Sequence, residues 1–132
     1  MSSARRRSRA LLAAGALALL VSGCSSAERP AVERVATDFE DSSGNPQARC
    51  DLLMPKTLEQ LEEQLKKSCA DGIGDVPLEG GDITEVQVWG GDAQVRMSGD
   101  TVFLAKTPTG WRIAAAVCSP QAEGPYDCKV EA

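Results

Sequence analysis

Apolar residues in the first half of the chain recur at the spacing of an α-helix. Four residues that follow Pro30 share one helical face at i, i+3, i+4 and i+7: Val32, Val35, Ala36 and Phe39. Pro30 suits the first turn of a helix, because its missing N–H would be unpaired there. We therefore expect a helix that begins at Pro30 and ends in the polar run 41–44.

Two further helices are predicted before residue 72. Asn45 followed by Pro46 has the pattern of an N-cap with proline at the first helical position, and it opens a short helix that carries Cys50 and ends before Pro55. Thr57 with Gln60 forms a capping-box pair that opens the third helix. Its apolar stripe consists of Leu58, Leu61 and Leu65. We expect this third helix to continue past Cys69 and to stop at Asp71-Gly72.

After a Gly- and Pro-rich loop the hydrophobic period changes from 3.6 to 2, which indicates β-strands. Four strands are predicted, with inward-facing sets Val86 and Val88, then Ala93, Val95 and Met97, then residues within 101–106, then Trp111, Ile113, Ala115 and Val117. Short turns between them favour an antiparallel meander. The predicted fold is α+β, with three N-terminal helices on one face of a curved four-stranded sheet, in a single domain of residues 31–132.

The N-terminus has the layout of a secretory signal. Arginines at positions 5, 6, 7 and 9 precede an apolar run, Ala10–Val21, and small residues follow. Twelve apolar residues at about 1.5 Å each cover about 18 Å, well short of a hydrocarbon core of about 30 Å. A cleaved signal peptide, residues 1–23, is therefore favoured over a permanent spanning helix.

The sequence Val21-Ser22-Gly23-Cys24 resembles the bacterial lipobox. The resemblance implies that the Cys24 thiol takes a diacylglyceryl group, with fatty acids such as palmitate, and that a peptidase cuts between Gly23 and Cys24. Two acyl chains give stable anchoring. The expected product is lipid-anchored at the extracytoplasmic face of the cell membrane, with residues 24–30 as anchor and tether. The alternative is an ordinary signal peptide with a chance cysteine.

Charge and composition exclude some classes of partner and of catalytic mechanism. Residues 24–132 contain ten basic and nineteen acidic residues, a net charge near −9. Such an acidic surface argues against nucleic acid as a partner. The chain has no His, which excludes imidazole as a catalytic base or metal ligand. No metal, cofactor or catalytic residue is assigned.

Four cysteines remain after Cys24: Cys50, Cys69, Cys118 and Cys128. They allow three pairings, among which sequence proximity favours Cys50 with Cys69 and Cys118 with Cys128. A zinc site is disfavoured, because no CxxC pair occurs and the four thiols are widely spread. Structural disulfides are expected in an extracytoplasmic compartment.

The order of elements, the segment Gly110-Trp111-Arg112-Ile113 and the tail from Cys118 to Cys128 together resemble a known group. It is the nuclear-transport-factor-2-like fold in the small form found in uncharacterised actinobacterial lipoproteins. The resemblance implies a cystatin-like, cone-shaped roll and a homodimer through the sheet. Enzymes of that superfamily use a carboxylate base inside the cone.

Two functional hypotheses follow. The favoured one is a non-catalytic, membrane-anchored domain that binds an envelope protein or a small ligand, for which Trp89 and Arg96 are candidates to line the ligand mouth. The other is a small lyase or isomerase that uses a carboxylate such as Asp38 or Asp51. The enzyme hypothesis requires a buried carboxyl with a raised pKa in a closed apolar pocket.

Overall fold

The computed structural model describes the backbone of residues 23–132 and the side chains of residues 26–132. The predicted signal region before Gly23 lies outside the described residues, as do the side chains of Cys24 and Ser25. Within the described part of the chain, no helix has both the length and the apolar character needed to cross a bilayer.

Between residue 23 and the sheet there are four α-helices and one 3₁₀ turn. They are α1 (Gly23–Glu40), α2 (Pro46–Cys50), α3 (Pro55–Leu65), α4 (Cys69–Gly72) and the 3₁₀ turn Ile73–Asp75. The expected face of α1 is confirmed, since Val32, Ala36 and Phe39 are fully buried. The predicted cap of α2 is confirmed as well, because the Asn45 side chain accepts from the N–H of Ala48.

The prediction of three helices was wrong in four details. Helix α2 ends at Cys50 rather than just before Pro55, and Leu53 forms a β-bridge with Ile113 instead. Helix α1 begins at Gly23, so that Pro30 lies inside it and the range 24–30 is helical. Helix α3 begins at Pro55, and Thr57 is no cap: its buried hydroxyl donates to the carbonyl of Ala114 at 2.9 Å. Lys66, with a φ of 58°, then ends α3, so Cys69 belongs to the separate helix α4, which Ser68 caps.

The sheet is an antiparallel meander of five strands in the order β1-β2-β3-β4-β5. The strands are β1 (Ile83–Trp89), β2 (Asp92–Met97), β3 (Thr101–Thr107), β4 (Gly110–Ser119) and β5 (Asp127–Glu131). The prediction of four strands was therefore wrong, because the final segment returns beside β4 as β5. The α+β class itself holds. Leu53 adds one parallel bridge to β4 at Ile113.

The helices pack on one side of the sheet, where α1 contacts β1 to β4 and α3 contacts β4 and β5. Alternate strand residues point into this interface and are buried: Ala93, Val95, Met97, Leu104, Ile113 and Val130. They join the apolar face of α1 in one continuous core. The opposite side, which we call the outer face, carries polar and aromatic side chains.

Candidate functional site

Two hairpin turns lie together at one end of the sheet. The β1–β2 turn follows Trp89, and the β3–β4 turn follows Thr107. Asp92 pairs with Ala105, and the N–H of Lys106 donates to the carbonyl of Gly91 at 2.8 Å. These contacts make the two turns neighbours. We call this part, residues 89–92 and 106–111, the hairpin end.

Trp89 dominates the surface of the hairpin end. Trp89 is 54% exposed. Among the described residues, it is the large apolar residue that is exposed rather than buried. It lies on the outer face, opposite Asp92, immediately before the β1–β2 turn. The Trp89 indole contributes little to the core, which β1 contacts through Ile83, Val86 and Val88 instead.

The first half of α1 is held against the same end. The Glu28 carboxylate accepts a 2.6 Å hydrogen bond from the indole N–H of Trp111 and also accepts from the ammonium group of Lys106. The Lys106 ammonium lies 5.9 Å from the centre of the Trp111 ring. These two donors lower the pKa of Glu28 below its ordinary value, with the Lys106 hydrogen bond as the largest cause. Glu28 therefore fixes α1 to β3 and β4.

The other end of α1 lies at the opposite end of the sheet. Gly80 packs so closely on Glu40 that a Cβ on Gly80 would lie 2.6 Å from the Glu40 Cβ and 2.9 Å from the Met97 Cε. Met97 ends β2, and the Gly80 carbonyl accepts from the N–H of Gly99 in the β2–β3 turn at 2.9 Å. Helix α1 thus runs along the sheet, with its N-terminus beyond the hairpin end.

Glu40 is a buried carboxyl that the sequence did not single out. It is 6% exposed, and neither of its oxygens has a hydrogen-bond partner. Burial, followed by the neighbouring Asp100 carboxyl, raises the pKa of Glu40 to about 9. Glu40 is therefore protonated at neutral pH, as a carboxyl removed from water and placed beside a second acid should be.

Arg49 belongs to the same buried cluster. It is 4% exposed, its Nε donates to the carbonyl of Phe39 at 2.8 Å, and its Nη2 is unpartnered. Burial lowers the pKa of Arg49, while Glu40 and Asp41 act in the opposite direction. Arg49 thereby ties α2 to the C-terminal turn of α1.

The Asp100 carboxylate accepts hydrogen bonds from three backbone N–H groups, two of them in β4. Its Oδ1 accepts from the N–H of Thr101 at 2.7 Å and of Cys118 at 2.9 Å, and its Oδ2 accepts from Val117 at 2.8 Å. Val117 has a φ of 54°, a left-handed conformation that is unfavourable for a β-branched residue. The Asp100 carboxyl stabilises this left-handed residue by accepting from its N–H and from the N–H of the next residue, Cys118.

The two carboxylates named for the enzyme hypothesis are exposed. Asp38 faces an open groove of about 280 Å³, shared with Asp41, Asn45 and Arg49. Asp51 borders a second groove of about 330 Å³, which reaches Thr107 and Thr109 at the hairpin end. Neither environment is a closed apolar pocket. The buried carboxyl with a raised pKa is Glu40 instead, and it does not line either groove.

Trp89 and Arg96 share the outer face but do not lie side by side. Arg96 pairs with Glu85 across the strands and forms a 3.0 Å ion pair with it, whereas Trp89 pairs with Asp92. Along β2, Arg96 lies four positions beyond Asp92, the partner of Trp89, which is a distance of about 13 Å. Neither residue lines the two grooves. Their role in ligand binding stays a prediction.

Both disulfides that sequence proximity favours are present. Cys50–Cys69 joins α2 to α4 with a Cα–Cα distance of 6.0 Å, and Cys118–Cys128 joins β4 to β5 at 4.0 Å. Tyr126, in the loop between β4 and β5, packs edge-on against Phe103 with ring centres 5.2 Å apart. The disulfide prediction is confirmed, and four of the five cysteines are used.

Comparison with known proteins gives no relative for this chain. No protein-family model, no curated protein sequence and no solved structure matches it significantly. The resemblance to nuclear-transport-factor-2-like lipoproteins therefore stays a prediction, and function has to be argued from the residues themselves.

Proposed function

We propose that the protein is a bacterial lipoprotein, anchored by a diacylglyceryl group on Cys24 to the extracytoplasmic face of the cell membrane. Its folded domain has a non-catalytic role there, in binding an envelope protein or a small ligand, or in envelope structure. The observation that carries this proposal is the position of Cys24. It ends a lipobox-like tetrapeptide that directly follows a basic and then apolar segment.

Cysteine usage supports the proposal. The disulfides Cys50–Cys69 and Cys118–Cys128 account for four of the five cysteines and leave Cys24 outside both. Disulfides persist in oxidising compartments outside the cytoplasm. A fifth cysteine that is placed at a lipobox and belongs to neither disulfide fits a thiol that is modified by lipid.

The environment of the acidic residues favours a non-catalytic domain. A catalytic carboxyl has to reach a substrate, yet Glu40, the acid with the strongly raised pKa, packs on Gly80 and Met97 in the core. The acids that border the grooves, Asp38 and Asp51, are open to water. The alternative, a small lyase or isomerase, would have to use Glu40 after an opening of the Gly80 loop.

Mass analysis of the chain purified from the membranes of a bacterial host tests the anchor. We expect a mature chain that begins at residue 24 and carries a diacylglyceryl group on Cys24. The Cys24→Ala variant should stay uncleaved and without lipid, whereas the neighbouring Ser25→Ala variant serves as the matched control and should be processed normally. A mature chain that begins elsewhere, or an unmodified Cys24, would refute the proposal.

A further inference from the structure

We infer that the hairpin end of the sheet faces the lipid bilayer, with the Trp89 indole at the membrane–water interface. This inference rests on the proposed function, since it takes the lipid on Cys24 as the anchor. It adds an interaction surface and a fixed orientation for the whole domain. Its starting observation is the direction of α1.

Helix α1 leaves little freedom between the anchor and the domain. It runs without a break from Gly23 to Glu40, so Cys24 lies in its first turn. Cys24 lies four positions before Glu28, which is about 6 Å along a helix axis. A lipid on Cys24 would therefore be joined to a helix rather than to a long flexible linker.

Contacts at both ends of α1 determine on which side of the domain the lipid-modified Cys24 would lie. Glu28 binds Trp111 and Lys106 at the hairpin end, and Glu40 packs on Gly80 at the opposite end. The helix axis, continued backwards from Glu28, therefore passes beyond the hairpin end. An acyl group at Cys24 brings the bilayer surface close to this end of the sheet.

The surface chemistry of the hairpin end suits a bilayer. Trp89 is mostly exposed there, and tryptophan prefers the membrane–water interface because its apolar ring and its polar N–H are satisfied together. Lys106 and Arg112, two of the ten basic residues after the signal region, lie in or beside the β3–β4 turn. The carboxylates of Glu28 and Asp92 balance these two charges, so this end lacks the excess of negative charge that anionic headgroups would repel elsewhere on the domain.

The opposite end of the sheet has no exposed tryptophan among the described residues. The loop between β4 and β5, residues 120–126, contains exposed Gln121 and Glu123, and the β2–β3 turn consists of Ser98, Gly99 and Asp100. Arg96 lies beside the β2–β3 turn, as Arg112 lies beside the β3–β4 turn, but neither segment carries a mostly exposed aromatic side chain. The two ends therefore differ in the exposed tryptophan, which is the side chain suited to the membrane–water interface.

Fluorescence quenching by lipid tests the orientation. The full chain is expressed in a bacterial host, purified from its membranes and reconstituted in phosphatidylethanolamine–phosphatidylglycerol vesicles that contain phospholipids brominated near the headgroup. We expect these lipids to quench the wild type, and the Trp89→Phe variant to lose that quenching. A reporter at the opposite end, Gln121→Trp in the Trp89→Phe background, should not be quenched.

The other possible outcomes refute either the orientation or the proposed function, and they can be told apart. If Trp89 is not quenched, or if the tryptophan at position 121 is quenched equally, the orientation is refuted while the lipid anchor stands. If the mass shows Cys24 without lipid, the proposed function fails. The free thiol of Cys24 is then coupled to a maleimide phospholipid in the same vesicles. Quenching of Trp89 fluorescence in these vesicles still tests the orientation of the domain. A mature chain that lacks residue 24 overturns both.

Discussion

The indole N–H of Trp111 donates a 2.6 Å hydrogen bond to the carboxylate of Glu28, across 83 positions of the chain. Glu28 lies before Pro30, which removes one N–H from the ladder of α1. The turn that contains Glu28 is thus held by the sheet as well as by the helix. This contact makes the start of α1 part of the folded domain.

Replacing Glu28 by alanine should loosen the N-terminal part of α1. The variant loses the acceptor for both Trp111 and Lys106, so amides in the first two turns of α1 should exchange with solvent faster, while core strand amides keep their protection. Hydrogen exchange with mass spectrometry measures this. Glu33→Ala, which removes only the exposed Arg29–Glu33 ion pair, is the control. Equal exchange in both variants would contradict the role of Glu28.

The same contact predicts a pH dependence. The pKa of Glu28 is lower in the folded protein than its ordinary value of 4.5. For an acid with a depressed pKa, the stabilisation is fully present above the unfolded value and is lost as pH falls through the folded value. Protection of the first two turns of α1 should therefore decrease in acid, below about pH 4.5. In Glu28→Ala this decrease should be absent.

Glu40→Gln should change how stability depends on pH. Between its ordinary value of 4.5 and about 9, Glu40 keeps its proton in the folded protein but loses it on unfolding. The unfolded chain binds fewer protons, so this residue makes stability fall as pH rises, by at most about 1.4 kcal/mol per pH unit. Glutamine has no proton to lose, so the variant should gain stability relative to the wild type as pH rises.

Urea unfolding of both proteins between about pH 5 and pH 8 measures this difference. The control is Asp38→Asn, which lies two residues earlier and is exposed. Parallel pH profiles for the wild type and Glu40→Gln would show that Glu40 is ionised in the folded state.

Asp100→Ala should destabilise the protein by about 3 kcal/mol, because it leaves three backbone N–H groups without their acceptor. The groups affected are those of Val117 and Cys118, together with the N–H of Thr101. Asp100→Asn keeps one oxygen acceptor and should cost less. Thermal and urea unfolding give the two free energies. An alanine variant as stable as the asparagine variant would show that water replaces the carboxylate.

Removal of the disulfide between Cys50 and Cys69 should cost about 3 kcal/mol, from the loop of 19 residues that it closes. The double variant with alanine at both positions also tests packing, since both cysteines are buried. Urea unfolding compares it with the matching variant of Cys118 and Cys128, which close a shorter loop of 10 residues and should cost somewhat less. The reverse order would contradict the loop-closure argument.

Patterns within single elements were readable from the sequence. The buried face of α1, the Asn45 cap and the first four strands follow from local periodicity and turn residues. The inward face predicted for β4 was wrong beyond Ile113, because the register with β3 shifts there and Ala116, rather than Ala115, joins the core. The end of α3 was missed because Lys66, rather than a glycine, adopts the left-handed conformation there. Strand β5 was missed although Cys128 and Val130 alternate with polar residues, since five residues after a loop carry a weak signal.

The buried cluster could not be predicted in the same way. Glu40, Arg49 and Asp100 come from α1, α2 and the β2–β3 turn, and no local pattern links positions 60 residues apart. A buried acid is also rare enough that exposure is the natural expectation for each one. The contacts at the hairpin end could not be predicted from local sequence either, because the approach of Glu28 to Trp111 depends on tertiary packing.

Each strand of the sheet pairs with the strand that precedes or follows it in the chain. Such pairing allows the sheet to assemble by successive hairpin closures, with little loop entropy lost at each step. Helix α1 is different, since its contact with Trp111 has to close most of the domain. We therefore expect the docking of α1 to come late in folding, after the sheet has formed, and the segment next to Cys24 to be the last part of the domain to become ordered.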